Sequence, residues 1–138
     1  MYTIPPNYLT QPNTRPDFWV NSVNDVNHFL DTQIQKGKVQ TIGTSAGNRP
    51  IRAVFYGHPR QGKGTTTFSG SLGFRDISKY LGPDANHKVY LGMSAVHGGE
   101  FEGIVGSVNL LSVLETGTDL SGAPWPEITH AANDLDRI

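Results

Sequence analysis

The chain contains no cysteine. Disulfides and thiolate metal sites are therefore excluded, and any metal must be held by histidine and carboxylate. No field of one charge sign is present. The 11 basic and 12 acidic residues are well mixed, and the net charge is −1. Nothing in that balance points to nucleic acid as a partner. No apolar run approaches the length of a membrane span, so no membrane partner is expected. The first residues, MYTIPPNYLTQPNTRP, lack the basic and apolar regions of a signal peptide. That favours a cytoplasmic protein or one whose leader lies elsewhere.

What remains is a chain of 138 residues, long enough for one domain with a real core. Apolar residues make up 36 %, with 16 glycines and 9 prolines. That composition suits a loop-rich globular domain. The prolines of residues 1–16 disfavour helix and central strand, so an extended arm is expected there. Trp19, Val23, Val26, Leu30 and Ile34 recur at spacings of three and four, which predicts an amphipathic helix over residues 17–36. Trp19 and Phe29 read as core anchors of that helix.

Residues 39–45 and 51–57 read as strands. Gly47 and Asn48 between them signal a turn and hence an antiparallel hairpin. The run IRAVFYG is apolar enough to be buried on both faces. Residues 58–71 read as a polar loop, with a short helix expected within residues 72–81. Residues 88–95 read as a third strand. Residues 102–116 carry Ile104, Val105, Val108, Leu111 and Leu114 on one face, and Gly117 ends that helix. A further helix is expected over residues 127–135. The order of elements predicts an α/β layer architecture.

Two motifs carry candidate chemistry. At residues 57–64, GHPRQGKG approaches a phosphate-binding loop. Gly64 stands where a hydroxyl residue must follow Lys63, and no helix start follows, so Arg60 and Lys63 read as surface charges. The second motif is HGGE. His97 and Glu100 lie three apart where the third strand meets the next helix. An imidazole and a carboxylate so placed can turn toward one divalent metal. The end of a strand is also where open α/β sheets bind ligands. Gly98 and Gly99 allow a sharp bend and leave room above the pair. The alternative is structural: His97 closes the strand, and Glu100 or Glu102 favours the helix N-terminus through its dipole. Local chemistry leaves both open. His28, His58, His87 and His130 have no motif support as further ligands.

Three segments together resemble the N-terminal half of zinc carboxypeptidases of the carboxypeptidase A type. They are the opening amphipathic helix, the hairpin IGTSAGNRPIRAVFYG of residues 42–57, and SAVHGGEFEG of residues 94–103. The tail GAPWPEITHAANDLDRI is similar to the segment that precedes the family's next strand. The resemblance implies a mixed, mainly parallel sheet with helices on both faces. It also implies that His97 and Glu100 bind a catalytic zinc, and that the substrate is a peptide or amide. Asn48 stands where the family usually has glycine, and Gly99 where it often has a basic residue that holds substrate. The family's third ligand, carboxylate-binding arginine and general-base glutamate lie further along, and no catalytic residue is assigned here. Residues 17–138 would then be the N-terminal portion of a carboxypeptidase-like catalytic domain. Alone, the chain would be catalytically silent, bind zinc weakly, and self-associate or need a C-terminal half. The competing expectation is a non-catalytic binding or interaction module on the same scaffold.

Overall fold

Ser22 decides where the first helix begins. Its Oγ accepts the Asp25 amide at 3.1 Å, which satisfies one of the helix's orphan donors. Helix α1 then spans Val23–Thr32. The computed structural model describes Pro16, residues 18–58, Gly73, Arg75 and residues 88–138. Within them, strands β1 (Lys38–Thr44) and β2 (Pro50–Phe55) follow α1, and helices α2 (Phe101–Thr116) and α3 (Pro126–Asn133) complete the order.

β1 and β2 pair antiparallel, with Val39 opposite Val54 and Lys38 opposite Phe55. The turn is closed by Ser45, whose carbonyl accepts the Asn48 amide and whose own amide donates to the Arg49 carbonyl. Asn48 takes the left-handed conformation at φ 58. Asparagine tolerates that region better than most residues, so it can stand where glycine would be the default. The register shifts between Thr41 and Gly43, so Ile42 is the extra residue of a bulge.

The core lies between the hairpin and the helices. Phe29, Leu30, Ile34 and Val108 are buried together, and Val39, Val54, Ile104 and Leu111 pack around them. Fully burying such a side chain contributes roughly 1.5–3 kcal/mol. The even-numbered residues of β2 face the helices. Arg52 reaches Asn27 and Asp31 of α1, Val54 joins the core, and the Tyr56 hydroxyl donates to Glu115 of α2. α3 lies on the same side, where Thr129 and Ala132 share a cavity of about 340 Å³ with Tyr56 and Ile138.

A short ladder extends the hairpin. Tyr56 and Ile138 exchange both backbone hydrogen bonds, at 2.9 and 3.2 Å, and His58 donates to the Asp136 carbonyl. On its other edge the same tripeptide pairs parallel with residues 88–90. Arg137 donates to the Lys88 carbonyl, and Tyr90 donates to the Arg137 carbonyl. Residues 136–138 are thus a short extended segment held between an antiparallel and a parallel neighbour.

Several expectations need correction. The first helix does not span residues 17–36. A turn from Pro16 to Trp19 precedes it, and the amides of residues 35–37 donate to Glu115 instead of continuing the helix. Trp19 is only half-buried, while Phe29 does anchor the core. The run IRAVFYG is buried on neither face: Ile51 is exposed and the next five residues are half-buried. The third strand forms only at a single bridge, Val89 to Arg137, because residues 91–95 have no neighbour to pair with among the described residues. Among the described residues the regular sheet is two-stranded and antiparallel, and the described helices lie on one face of it. The arm of residues 1–16, apart from Pro16, the body of the polar loop with Lys63, nearly all of the short helix expected within residues 72–81, and His87 fall outside the described residues.

Candidate metal centre

The ladder fixes where residues 88–95 start, and α2 fixes where the following turn must end. Between them the chain reverses at Ala95, which takes φ 59. Gly98 and Gly99 do not take left-handed conformations. They contribute space: a side-chain carbon added at either would meet nothing within 4 Å. The Glu100 amide donates to the His97 carbonyl at 3.3 Å, closing the turn.

That turn brings the two candidate ligands together. His97 Nδ1 lies 3.0 Å from Glu100 Oε2. Both side chains are open to solvent, with 73 % and 68 % of their surfaces exposed. Two ligand atoms bound to one tetrahedral zinc at ordinary distances sit about 3.3 Å apart. The observed separation needs only a small opening to admit a metal between them. The pair therefore fits the metal as two ligands of a larger set. His28, His58 and His130 are exposed elsewhere. Among the described residues, no three metal-binding side chains converge.

The structural alternative for this turn is narrowed by the same geometry. Glu100 is the N-cap residue of α2, yet its side chain caps no helix amide. It turns back to His97 instead. Glu102 occupies the first turn, where a carboxylate favours the positive end of the helix.

Sequence reasoning missed the residue that holds α2 in place. Glu115 is a carboxylate only 7 % exposed, on the helix whose N-terminus carries Glu100. Its Oε2 accepts the amides of Gln35 and Lys36 at 3.0 and 2.8 Å. Its Oε1 accepts the Gly37 amide at 2.9 Å and the Tyr56 hydroxyl at 2.8 Å. Successive backbone amides form a concave anion cradle of this kind. Burial by itself pushes the Glu115 carboxyl up. The three amides and the Tyr56 hydroxyl outweigh that and hold it below its ordinary value. Burial, reinforced by the neighbouring Glu115 carboxylate, pushes the Tyr56 hydroxyl strongly up, so it remains a donor. The clasp ties α2 to both the α1–β1 connection and β2.

A second carboxylate organises the loop between α2 and α3. Asp119 accepts the Ser121 hydroxyl and amide and the Ala123 amide on one oxygen, and the Trp125 indole N–H on the other. The Ser121 hydroxyl and the Trp125 indole lower its pKa to about 2.

Comparison with protein-family models, with curated proteins and with solved structures finds no match for this chain.

Proposed function

We propose that this chain is part of a zinc-dependent, metallocarboxypeptidase-like hydrolase, in which His97 and Glu100 are two of three metal ligands. One observation carries the reading. The two side chains meet at 3.0 Å on an open turn at the end of an extended run. The mixed ladder around residues 136–138 supports it, because the resemblance implies a sheet with both pairing directions. Zinc, when bound, would polarise a peptide or amide carbonyl and lower the pKa of a water. The chain's own residues would do less. His97 and Glu100 would hold the metal, the ladder and the Glu115 clasp would hold the turn, and Gly98 and Gly99 would keep space above it. Alone, the chain is expected to be catalytically silent and to bind zinc weakly.

A second reading is a non-catalytic interaction module. It is favoured by the hydrogen bond that already satisfies His97 and Glu100 against each other, and by the exposed apolar run beside them. Zinc titration followed by histidine NMR separates the two. The metal reading expects the His97 imidazole resonances to move before those of His28, His58 and His130. It also expects His97→Ala to abolish the saturable phase in calorimetry. Zinc that leaves the His97 resonances unmoved while shifting the others would sink the metal reading.

A further inference from the structure

The turn that carries His97 and Glu100 is entered through a residue in a costly conformation. Ala95 takes φ 59, and it alone between residues 88 and 100 has a positive φ. In the left-handed region an alanine Cβ crowds the following carbonyl oxygen, so the conformation is disfavoured. Asn48 takes the same conformation in the hairpin turn, where an asparagine side chain can hydrogen-bond nearby backbone. Alanine has no such group. Nor does packing press Ala95 into place, because it is exposed.

The path of the chain supplies the reason. Ser94 is half-buried, and its Cβ lies 3.7 Å from where a Gly103 side chain would begin. Gly103 belongs to the first turn of α2, which starts at Phe101. The chain must therefore leave the end of α2 at Ser94 and return to that same end within residues 95–100. Extended backbone at Ala95 would carry it past the helix. Left-handed backbone reverses it at once, and bends at Val96 and His97 complete the return. Strain of this kind persists where the surrounding structure fixes it. Here both ends are fixed, at Ser94 and by α2. The weakest links of the closed loop are the 3.3 Å bond from the Glu100 amide to the His97 carbonyl and the solvent-exposed side-chain pair. They part first if Ala95 straightens.

We infer that Ala95 is a positioning residue for the candidate metal pair: its left-handed backbone lets residues 97–100 close while Ser94 stays against α2. The inference rests on the metal reading of that pair. Three residues of turn bring His97 and Glu100 within reach, and the backbone at Ala95 lets them remain there.

The test is NMR on the full chain, with and without zinc chloride. In the metal-free, unsubstituted chain Ala95 is expected to show the strong intraresidue amide–Hα Overhauser effect of positive φ. The His97 ring is expected to show a contact with the Glu100 side chain. Ala95→Gly holds positive φ without strain, so it should keep the contact and the zinc response of His97 within about twofold. Valine is β-branched and a severe misfit at positive φ. Ala95→Val should therefore lose the contact and need roughly tenfold more zinc for the same His97 shift. Tyr56 and Trp125 resonances report in the same spectra that the rest of the fold is kept. A negative φ at Ala95 in the unsubstituted chain overturns the inference, and that reading holds even if valine unfolds the protein. A His97–Glu100 contact that survives in the folded valine variant also overturns it. Zinc that leaves His97 unmoved in the unsubstituted chain defeats the metal reading alone. The metal-free contact then decides the positioning role, upheld by its loss with valine and overturned by its persistence.

Discussion

Replacing Glu115 with glutamine tests whether a buried carboxylate, more than the modest core, fixes α2 on the hairpin. The change is nearly isosteric, so packing is retained. One oxygen becomes an NH₂ that faces two donors: either the Gln35 and Lys36 amides or the Gly37 amide and Tyr56 hydroxyl. At least one amide hydrogen bond is lost, since the Tyr56 hydroxyl can turn to accept from the NH₂, and the bonds that remain lose their charge. Hydrogen bonds to a charged group contribute about 1.5–3 kcal/mol each. Gln35 and Lys36 are exposed enough for their amides to turn partly to water, so the lower part of that range applies. The expected cost is about 3 kcal/mol, equivalent to a fall of roughly 10 °C in Tm for a chain of this size. Tyr56→Phe removes one donor of the four and should cost about 1.5 kcal/mol.

The pH dependence gives a second readout of the same clasp. The folded Glu115 pKa lies below its ordinary value of 4.5. The unfolded chain therefore binds the proton first. The stabilisation is fully present above about pH 4.5 and is lost as pH falls through the folded value. Urea unfolding followed by circular dichroism between pH 3 and 7 measures both effects. Glu115→Gln should lower stability at pH 7 and flatten the decline toward acid. Equal stability at pH 7 within about 0.5 kcal/mol, or an unchanged acid slope, would refute the clasp as the fastening of α2.

Two glycines with similar backbone angles should respond differently to alanine. Gly57 takes φ 72 and its added carbon would collide with the Asp136 carbonyl, so Gly57→Ala should displace residues 136–138 and cost more than 2 kcal/mol in urea unfolding. Gly117 takes φ 85 with nothing within 4 Å, so Gly117→Ala should cost only the left-handed strain of about 1 kcal/mol. Equal costs at the two sites would remove the ladder contact as the cause. The Asp119 carboxyl titrates at about 2, so the Trp125 indole N–H resonance should stay fixed down to near that pH and shift only as the hydrogen bond is lost below it. A shift near pH 4 would show that Ser121 and Trp125 do not hold the carboxylate.

The features legible in the sequence are those set by neighbours a few residues apart. The hairpin turn at Gly47 and Asn48, the end of α2 at Gly117 and the body of α3 lie where local chemistry puts them. So does the meeting of His97 and Glu100, because three residues of turn suffice to bring them together. The start of α1 was misplaced although its signal was present, since Ser22 and Asp25 form a cap that outcompetes the earlier Pro16. Its end was misplaced for a different reason. Nothing local tells the amides of residues 35–37 to leave the helix.

That instruction comes from Glu115, 78 to 80 residues away. A backbone amide is the same donor in every residue, so the sequence carries no mark of which carboxylate will find it. The same holds for residues 136–138. Their side chains do not announce pairing, and they form bridges on both sides because folding places them between Gly57 and Val89. Residues 91–95 show the converse. They have the composition of a strand, yet composition cannot provide a partner, and among the described residues none pairs with them, so the hydrogen bonds that define a strand do not form there. Local preference settled the pieces and the candidate metal turn. Long-range pairing settled which backbone groups were satisfied and which face the helices took.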